Sequence, residues 1–191
     1  MEDKYKDAKI LYTQTGYASW YGPPYHNRQA ANGEMFDMNA LTAAHRTLPL
    51  NSIVRVTNLK TDHSAIVRIT DRGPFVTDRI IDLSKAAAIA VEVWRPGTAK
   101  VRLDVLDTPS SIESGGRWCV QIGGIKKEEV ATELKEKLTR RYRTAKVLQF
   151  ASPVGDYWIR VRVANDDKDK AEQLAAENTT PEGNIFVVRL D

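Results

Sequence analysis

The chain has 191 residues, which suits one large domain or two small ones, and its 42% hydrophobic content is enough for real cores. Its 28 Lys and Arg residues against 25 Asp and Glu give a net charge of +3, too slight to indicate attraction to nucleic acid or membrane. The single cysteine, Cys119, excludes an internal disulfide and a cysteine zinc cluster, and its apolar neighbours predict a buried thiol.

The chain divides at a stretch rich in Ser, Gly and Pro, DTPSSIESGG at 107–116, whose composition is typical of a flexible linker. We therefore expect a charged N-terminal extension over 1–13, a first domain over 14–106 and a second domain over 117–191. No apolar run approaches the roughly 20 residues that cross a bilayer, and this sequence contains no export signal.

Short runs of alternating apolar and polar residues dominate the first domain and predict β-strands separated by Gly, Pro, Asn and Asp. One helix is expected among them, because Ser84 can cap the Ala-rich segment 85–91. The pattern predicts a mainly β domain, either a small barrel or a sandwich. The expected strands are 52–57, 65–70, 79–83 and 100–106.

The second domain has a different order, strand, helix, strand, strand, helix, strand. Its helices are indicated by apolar residues one turn apart, and the whole order predicts an α+β sandwich with both helices on one sheet face. The expected strands are 118–123, 145–150, 157–163 and 185–190; the helical residues are Val130, Leu134, Leu138, Ala171, Leu174 and Ala175.

Glu34 and His45 are candidates for chemistry in the first domain. Glu34 follows Gly33 in a turn-rich segment, so a loop presents its carboxyl group, although such a carboxylate is usually only solvated. His45 ends a run of apolar and small residues, which predicts a partly buried imidazole that needs a hydrogen-bond partner. The plainer alternative is a satisfied core histidine.

Asp71 and Asp82 are the other two candidates. Asp71 ends an expected strand, where its carboxylate can line a groove or cap the following turn. Asp82 is flanked by aliphatic residues and must find partners or shift its pKa. Because both acids leave strands of one small domain, they could line a shared groove with Glu34.

Five motifs follow one another along the first domain: GYASWYG at 16–22, ANGE at 31–34, LTAAH at 41–45, VRVTN at 54–58 and DRGPF at 71–75. In this order they resemble the rare lipoprotein A family over about residues 14–106. The resemblance implies a six-stranded double-psi β-barrel and a lytic transglycosylase, which cuts the β-1,4 bond between N-acetylmuramic acid and N-acetylglucosamine without water and leaves a 1,6-anhydro end.

The same resemblance assigns roles to the candidate residues. The catalytic acid of the family matches Glu34, its supporting histidine and aspartate match His45 and Asp71, and Asp82 resembles the aspartate shared with expansin-like barrels. One carboxyl group can protonate the leaving oxygen and then accept the proton of the muramyl 6-hydroxyl. Glu34 would then need a raised pKa. Asp71 could raise the pKa of Glu34 by charge repulsion, or it could instead stabilise the oxocarbenium-like charge. His45 could orient either carboxylate.

Three positions depart from the pattern of the family. Asn27 and Asn51 replace glycines, a neutral change because Asn tolerates left-handed backbone geometry. Ala30 replaces a common threonine and so removes a hydroxyl group close to Glu34.

One face of the second domain's sheet is expected to bind sugar. Alternation places Gln121, Trp158, Arg160 and Arg162 on the face opposite the helices. Aromatic rings pack on sugar rings, while Arg and amide groups bond hydroxyl and acetamido oxygens. An ordinary solvated sheet face with one stray Trp is the alternative.

Around these residues the sequence is similar to the sporulation-related repeat (SPOR) domain, a small βαββαβ domain that binds peptidoglycan glycan strands stripped of stem peptides. Its binding positions match Gln121, Trp158 and Arg160, while a common serine of the family is Gly124 here. A base-stacking sheet would need paired aromatics on neighbouring strands, so nucleic acid is not expected.

The sequence thus supports two hypotheses. The first is an enzyme whose barrel cuts glycan while the second domain holds it on denuded strands; the second is a non-enzymatic, expansin-like protein that only binds the wall. Either would be a monomer without cofactor or metal, in the periplasm or cell envelope, as an outer-membrane lipoprotein at the division septum if a lipid anchor precedes this sequence.

Overall fold

The computed structural model describes residues 3–191, and over this range the chain forms two compact units. The first contains the residues up to Pro74 together with Asp78–Glu113, and the second contains Phe75–Thr77 and Ser114–Asp191. Residues 1–2 of the expected N-terminal extension lie outside the described residues.

The first unit is a closed β-barrel. Its strands are β1 Tyr12–Trp20, β2 Thr42–His45, β3 Ile53–Asn58, β4 Ser64–Asp71, β5 Arg79–Leu83 and β6 Ala99–Asp107. Within the described range these six close in the order β1-β5-β2-β4-β3-β6; β1 and β5 are parallel, β2 and β4 are parallel, and the other neighbours are antiparallel. The expected mainly β class and six-stranded barrel are confirmed.

Side chains at alternate positions along the strands fill the barrel. The same alternation is the pattern by which the sequence predicts a strand. Val54 and Val56 of β3, and Ile81 and Leu83 of β5, are buried in one apolar cluster. The short helix α1, Lys85–Ala90, packs against it and begins as predicted, because the Ser84 hydroxyl accepts a hydrogen bond from the Ala87 amide at 3.2 Å.

Both predicted edges of the barrel domain differ from the observed packing. β1 begins at Tyr12, and Tyr5 is buried beside Ile66 and Leu106, with its hydroxyl 3.1 Å from Asp107 Oδ2. At the other end Ile112, inside the predicted linker, packs on the barrel core. In both places a single apolar side chain within a polar stretch packs on the barrel. A single apolar residue gives no periodic pattern, so this packing could not be predicted from the sequence.

The second unit is a four-stranded antiparallel sheet over residues 114–191, with helices on one face. Its elements are β7 Trp118–Ile125, α2 Glu128–Arg141, β8 Lys146–Ala151, β9 Tyr157–Arg162, α3 Lys168–Glu177 and β10 Asn184–Arg189, and the sheet order is β10-β7-β9-β8. The predicted order of elements is confirmed, and so is the burial of Cys119. In the part of the chain described, no helix is long and apolar enough to cross a membrane.

Candidate functional site

Two carboxylates, Asp71 and Asp82, flank the short strand β2. Ala44 of β2 pairs with Asp71 of β4 on one side and with Asp82 of β5 on the other. Residues paired across a ladder project to the same face, and neighbouring strands lie about 4.8 Å apart, so the two acids stand about 10 Å apart across a methyl side chain. A Cβ added to Gly73 would lie 3.7 Å from the Ala44 Cβ and 4.0 Å from Asp82 Oδ2. The small residues Ala44 and Gly73 therefore leave space beside the acids.

Asp82 is largely enclosed and is held by two polar neighbours. The Ser19 hydroxyl donates to Asp82 Oδ1 at 2.7 Å, and Arg79 Nη1 lies 3.7 Å from the same oxygen. Burial raises the pKa of this carboxyl group, and the opposing effects of Arg79 and Ser19 only partly offset the increase. The expectation that this acid finds partners and shifts its pKa is confirmed.

Asp71 connects the end of β4 to the loop that carries Glu34. Its Oδ1 accepts hydrogen bonds from the amides of Ala31 at 3.1 Å and Arg72 at 2.8 Å. The Asn32 amide also donates to the Thr70 carbonyl at 3.0 Å. These bonds hold the loop against the strand end, so Glu34 lies on the same side of the barrel as Asp71. Over residues 3–191, no group of three or more His, Cys, Asp or Glu side chains is arranged to hold a metal ion.

Glu34 forms a two-pronged ion pair with Arg68 of β4. Arg68 Nη1 and Nη2 donate to Glu34 Oε1 and Oε2 at 2.8 and 2.6 Å, and Nη1 also donates to Asn51 Oδ1 at 2.8 Å. The hydrogen bonds from Arg68 lower the pKa of Glu34. The predicted raised pKa is therefore wrong for the free protein, because an arginine, rather than a second acid, is the nearest charged group.

His45 faces away from the acids, towards the barrel interior. It pairs with the core residue Ile81, whereas Ala44 before it pairs with Asp82 on the opposite face. Its Nδ1 accepts the amides of Thr47 and Leu48 at 3.2 and 3.1 Å, so we assign the proton to Nε2, which lies 3.0 Å from the Gln14 amide oxygen.

Burial, together with the charges of Arg46 and Arg72, lowers the pKa of His45 to about 3, so the ring is neutral. Its hydrogen bonds go to Gln14 and to backbone amides rather than to a carboxylate of the described chain. The expected contact between His45 and a catalytic acid is not formed, and the satisfied core histidine describes what is observed.

Tyr21 and Arg68 belong to the site although neither was singled out from the sequence. The carboxylates of Asp71 and Asp82 both raise the pKa of Tyr21, after burial as the largest cause, so its hydroxyl lies near both acids. Tyr21 lies within the motif at 16–22, and this position was the feature by which the sequence could have identified it as a site residue. Arg68 carried no signal, since a charged residue on an alternating strand is usually solvated.

The departures from the family pattern fall in special backbone positions. Asn27 and Asn51 have φ values of 61° and 69°, which confirms that Asn replaces glycine in left-handed geometry. Gly33, before the acid, has φ 89°, as its position in a tight loop required. In the second unit Gly124 has φ 85° within an irregularity of the β7–β9 ladder, so a serine there would be strained.

On the sheet of the second unit, Gln121 and Arg160 pair directly across β7 and β9. The Arg160 Nε and Nη2 atoms donate to Gln121 Oε1 at 3.1 and 3.0 Å. The Gln121 side chain is fully buried, and its Nε2 has no hydrogen-bond partner among the described residues. The expected exposure of Gln121 is wrong. Its predicted position on the sheet face opposite the helices is correct, since Val120 and Ile122 pack in the core on the other face.

Trp158 and Arg162 occupy the same strand with different surroundings. Both are partly buried, so the expected exposure of Trp158 is only partly correct. Arg162 Nε donates to Asp166 Oδ1 at 2.9 Å and its Nη2 lies 2.5 Å from Oδ2, which commits its guanidinium to an ion pair. Arg160 lies 5.2 Å from the centre of the Phe150 ring and holds the Gln121 oxygen. Gln121 and Arg160 are therefore joined directly, whereas Arg162 is held by Asp166.

Comparisons with known proteins cover both units. The profile of a family described as lytic transglycolase matches residues 13–103, and that of the SPOR domain matches residues 114–178.

The chain is similar to endolytic peptidoglycan transglycosylase RlpA of Campylobacter jejuni, with 42% identity over 69% of this chain and 55% of the relative. The protein of the same name from Neisseria meningitidis is 57% identical over 52% of this chain and 41% of the relative. The chain spans about half the length of the curated relatives it matches. A solved Clavibacter expansin covers 93% of this chain and 90% of its own, at 11% identity and TM-score 0.41, a likeness too slight to bear on function.

Proposed function

Because the chain belongs to the rare lipoprotein A family, with a double-psi barrel followed by a SPOR domain, we propose that it is an endolytic peptidoglycan transglycosylase. It would cut the bond between N-acetylmuramic acid and N-acetylglucosamine and leave a 1,6-anhydro end. The observation that carries the proposal is the group of Glu34, Asp71 and Asp82 on one side of the barrel. Each of these carboxyl groups has a different set of polar neighbours, which suits a division of labour.

Glu34 is the proposed acid and base of the reaction. Protonation of the leaving oxygen needs a carboxylic acid, whereas the ion pair with Arg68 keeps Glu34 ionised in the free protein. The Arg68 and Glu34 side chains are 32% and 53% exposed, so water screens this ion pair, although its two-pronged geometry makes it stronger than most surface pairs. A bound glycan would displace Arg68, remove water from Glu34 and raise its pKa for the proton transfer.

Asp71 and Asp82 would act on charge rather than on the proton of the leaving group. The transition state of glycosidic cleavage carries positive charge at the anomeric carbon, which a nearby carboxylate stabilises. Asp71 faces the same loop as Glu34 and is the proposed stabilising group. Asp82, held by Ser19 and Arg79, would line the far side of β2 and contact the sugar on that side.

The second unit would hold the enzyme on its substrate. The match to the SPOR profile and the group of Gln121, Trp158 and Arg160 on one sheet face support glycan binding there. We further propose a preference for strands without stem peptides, because the sheet face offers the aromatic ring of Trp158 and the guanidinium group of Arg160 for bare sugar. Tethering the barrel to such strands raises the local substrate concentration.

The proposed activity places the protein in the cell envelope, where peptidoglycan is found. Within the envelope we propose the periplasm, and more narrowly the division septum with a lipid anchor on the outer membrane. A monomer is sufficient for this function, because the proposed acids and the proposed glycan face belong to one chain.

Product analysis tests the reaction. We expect the full chain to release fragments from purified sacculi and from peptide-free glycan, each lighter by one water than the corresponding hydrolysis product in mass spectra. Glu34→Gln removes the acid and should lower release by at least about a hundredfold, as loss of general acid–base catalysis does. Glu92→Gln is the matched control, since Glu92 is also exposed and paired, with His63 at 3.4 Å, and should keep full activity.

Two other outcomes would reject the proposal. Fragments with free reducing ends would mean hydrolysis. Binding without any release by the wild type would leave an expansin-like protein that binds the wall and does not cut it.

A further inference from the structure

The Tyr21 ring is clamped in place beside the acids. Its plane stacks on Phe36 at 4.3 Å between centroids with an interplanar angle of 19°, and Tyr25 meets it edge-on at 5.7 Å. The Tyr21 amide donates to the Leu83 carbonyl at 2.9 Å, which extends the β1–β5 pairing by one residue beyond Trp20. The direction of the Tyr21 hydroxyl is therefore fixed by aromatic packing on one side and by the backbone on the other.

The hydroxyl at the end of this ring is buried and makes no hydrogen bond of normal geometry with the described residues. The Thr70 hydroxyl is close enough to lower the pKa of Tyr21 slightly, but burial and the charges of Asp71 and Asp82 raise that pKa well above its usual value. The phenol therefore stays protonated, so its O–H group is available as a hydrogen-bond donor. A buried donor without a partner costs about 1–3 kcal/mol, so its retention needs a reason.

The surroundings indicate which acid this donor serves. Asp82 accepts the side-chain hydroxyl of Ser19 on β1 and lies beside Arg79 of β5, whereas Asp71 Oδ1 accepts from the backbone amides of Ala31 and Arg72. Asp71 follows Thr70 on β4 and contributes more than Asp82 to the pKa of Tyr21. The charged groups around this pair of acids are Arg46 after β2, Arg72 after β4, Arg79 on β5, Glu34 on the loop and Arg68 on β4.

We propose that Tyr21 is a positioning residue, whose hydroxyl donates a hydrogen bond to the Asp71 carboxylate when glycan occupies the cleft. The inference rests on the proposed function, since it assigns Tyr21 a role in the same reaction. In the free protein the Tyr21 hydroxyl has no hydrogen-bond partner among the described residues. Glycan binding at the loop of residues 31–34, which is hydrogen-bonded to Asp71, brings the carboxylate onto the hydroxyl and holds it against the developing positive charge.

Tyr21→Phe tests this role, because it keeps the clamped ring and removes only the oxygen. We expect an unchanged or slightly higher melting temperature, since an unpartnered buried hydroxyl is lost. We expect kcat to fall about ten- to a hundredfold with KM within about twofold, the loss that follows removal of a hydrogen bond to a charged group. The acidic limb of the pH–rate profile should move to higher pH, because a carboxylate without its donor is less stable as an anion.

A second measurement separates this inference from the proposed function. In the Glu34→Gln background, which should bind glycan without cutting it, the carboxyl ¹³C signal of Asp71 should respond to glycan, and the response should be lost with Tyr21→Phe. Tyr17→Phe is the matched control, since Tyr17 is an exposed phenol on the same strand. An active wild type whose rate and pH profile are unaffected by Tyr21→Phe would overturn the role of Tyr21 alone, whereas an inactive wild type would overturn the proposed function.

Discussion

Arg68 sets the charge of Glu34 in the free protein, and this gives a prediction for the pH dependence of cleavage. Arg68→Gln removes the two hydrogen bonds that lower the pKa of Glu34, so this pKa should rise towards its ordinary value. An acid catalyst must be protonated, and activity falls as pH rises through its pKa. We therefore expect the alkaline limb of the kcat/KM profile to move to higher pH in the variant.

The control for this change is Arg140→Gln, which removes the same charge from an exposed pair with Glu136 on α2. It should leave the pH profile of cleavage where it is in the wild type. If Arg68 instead binds the transition state, Arg68→Gln will lower kcat at every pH and the limb will not move. That result would contradict the release of Arg68 on glycan binding.

At this scale the sequence identified the acids but not their neighbours. Asp82 between aliphatic residues could be predicted to need partners, because a buried charge is costly wherever it lies. The Arg68 contact joins residues 34 positions apart, and the Ala31 amide reaches Asp71 over 40. Such contacts depend on where a loop returns to the barrel, which neither residue type nor spacing determines.

The short strand β2 has two faces with opposite properties, and its inner face predicts a sensitivity to acid. His45 has a pKa of about 3 when folded and 6.5 as an ordinary histidine, so below pH 6.5 the unfolded chain binds a proton that the folded chain does not. The contribution of His45 to stability is complete above pH 6.5 and is lost as pH falls towards 3. Between pH 6 and 5 we expect the free energy of unfolding to fall by about 1 kcal/mol through this residue.

Urea unfolding of the wild type and of His45→Gln at pH 7, 6 and 5 checks this expectation. Gln does not titrate in this range, so the variant should be less stable at pH 7 but should lose less stability on acidification. The difference in free energy of unfolding between the two proteins should therefore narrow as pH falls. A constant difference would show that His45 is not held neutral by the fold.

Strands were predicted correctly where apolar residues occupy one face of the strand. They were missed where the sequence does not alternate between apolar and polar residues. The segment 79–83 was predicted with its observed bounds, because the apolar residues Ile81 and Leu83 stand on either side of the polar Asp82. β1 contains Thr, Gln, Gly and Ser, and β2 has four residues that are all buried, so neither shows alternation. Both are held by neighbours distant in sequence: β1 by β5 and β6, and β2 by β4 and β5.

Over the whole molecule, the proposed work is divided between a unit that cuts and a unit that binds. The barrel carries the three carboxylates, and the second unit carries Trp158 and Arg160 on the sheet face opposite its helices. Because the two sites are in separate units, a change in one should leave the chemistry of the other intact. Binding to insoluble wall and cleavage of short soluble glycan can thus be measured apart.

Trp158→Ala in the full chain tests this division. If Trp158 packs on sugar, the loss of a large aromatic contact should weaken cosedimentation with denuded sacculi by about ten- to thirtyfold. The rate on short soluble glycan should stay within about twofold, and the melting curve should keep its midpoint to within a few degrees. Trp94→Ala, which removes a 38% exposed Trp from the barrel unit, should leave sedimentation unchanged. Equal sedimentation of wild type and Trp158→Ala would remove the sugar-binding role of this face, and equal binding to denuded and peptide-bearing sacculi would contradict the preference for bare strands.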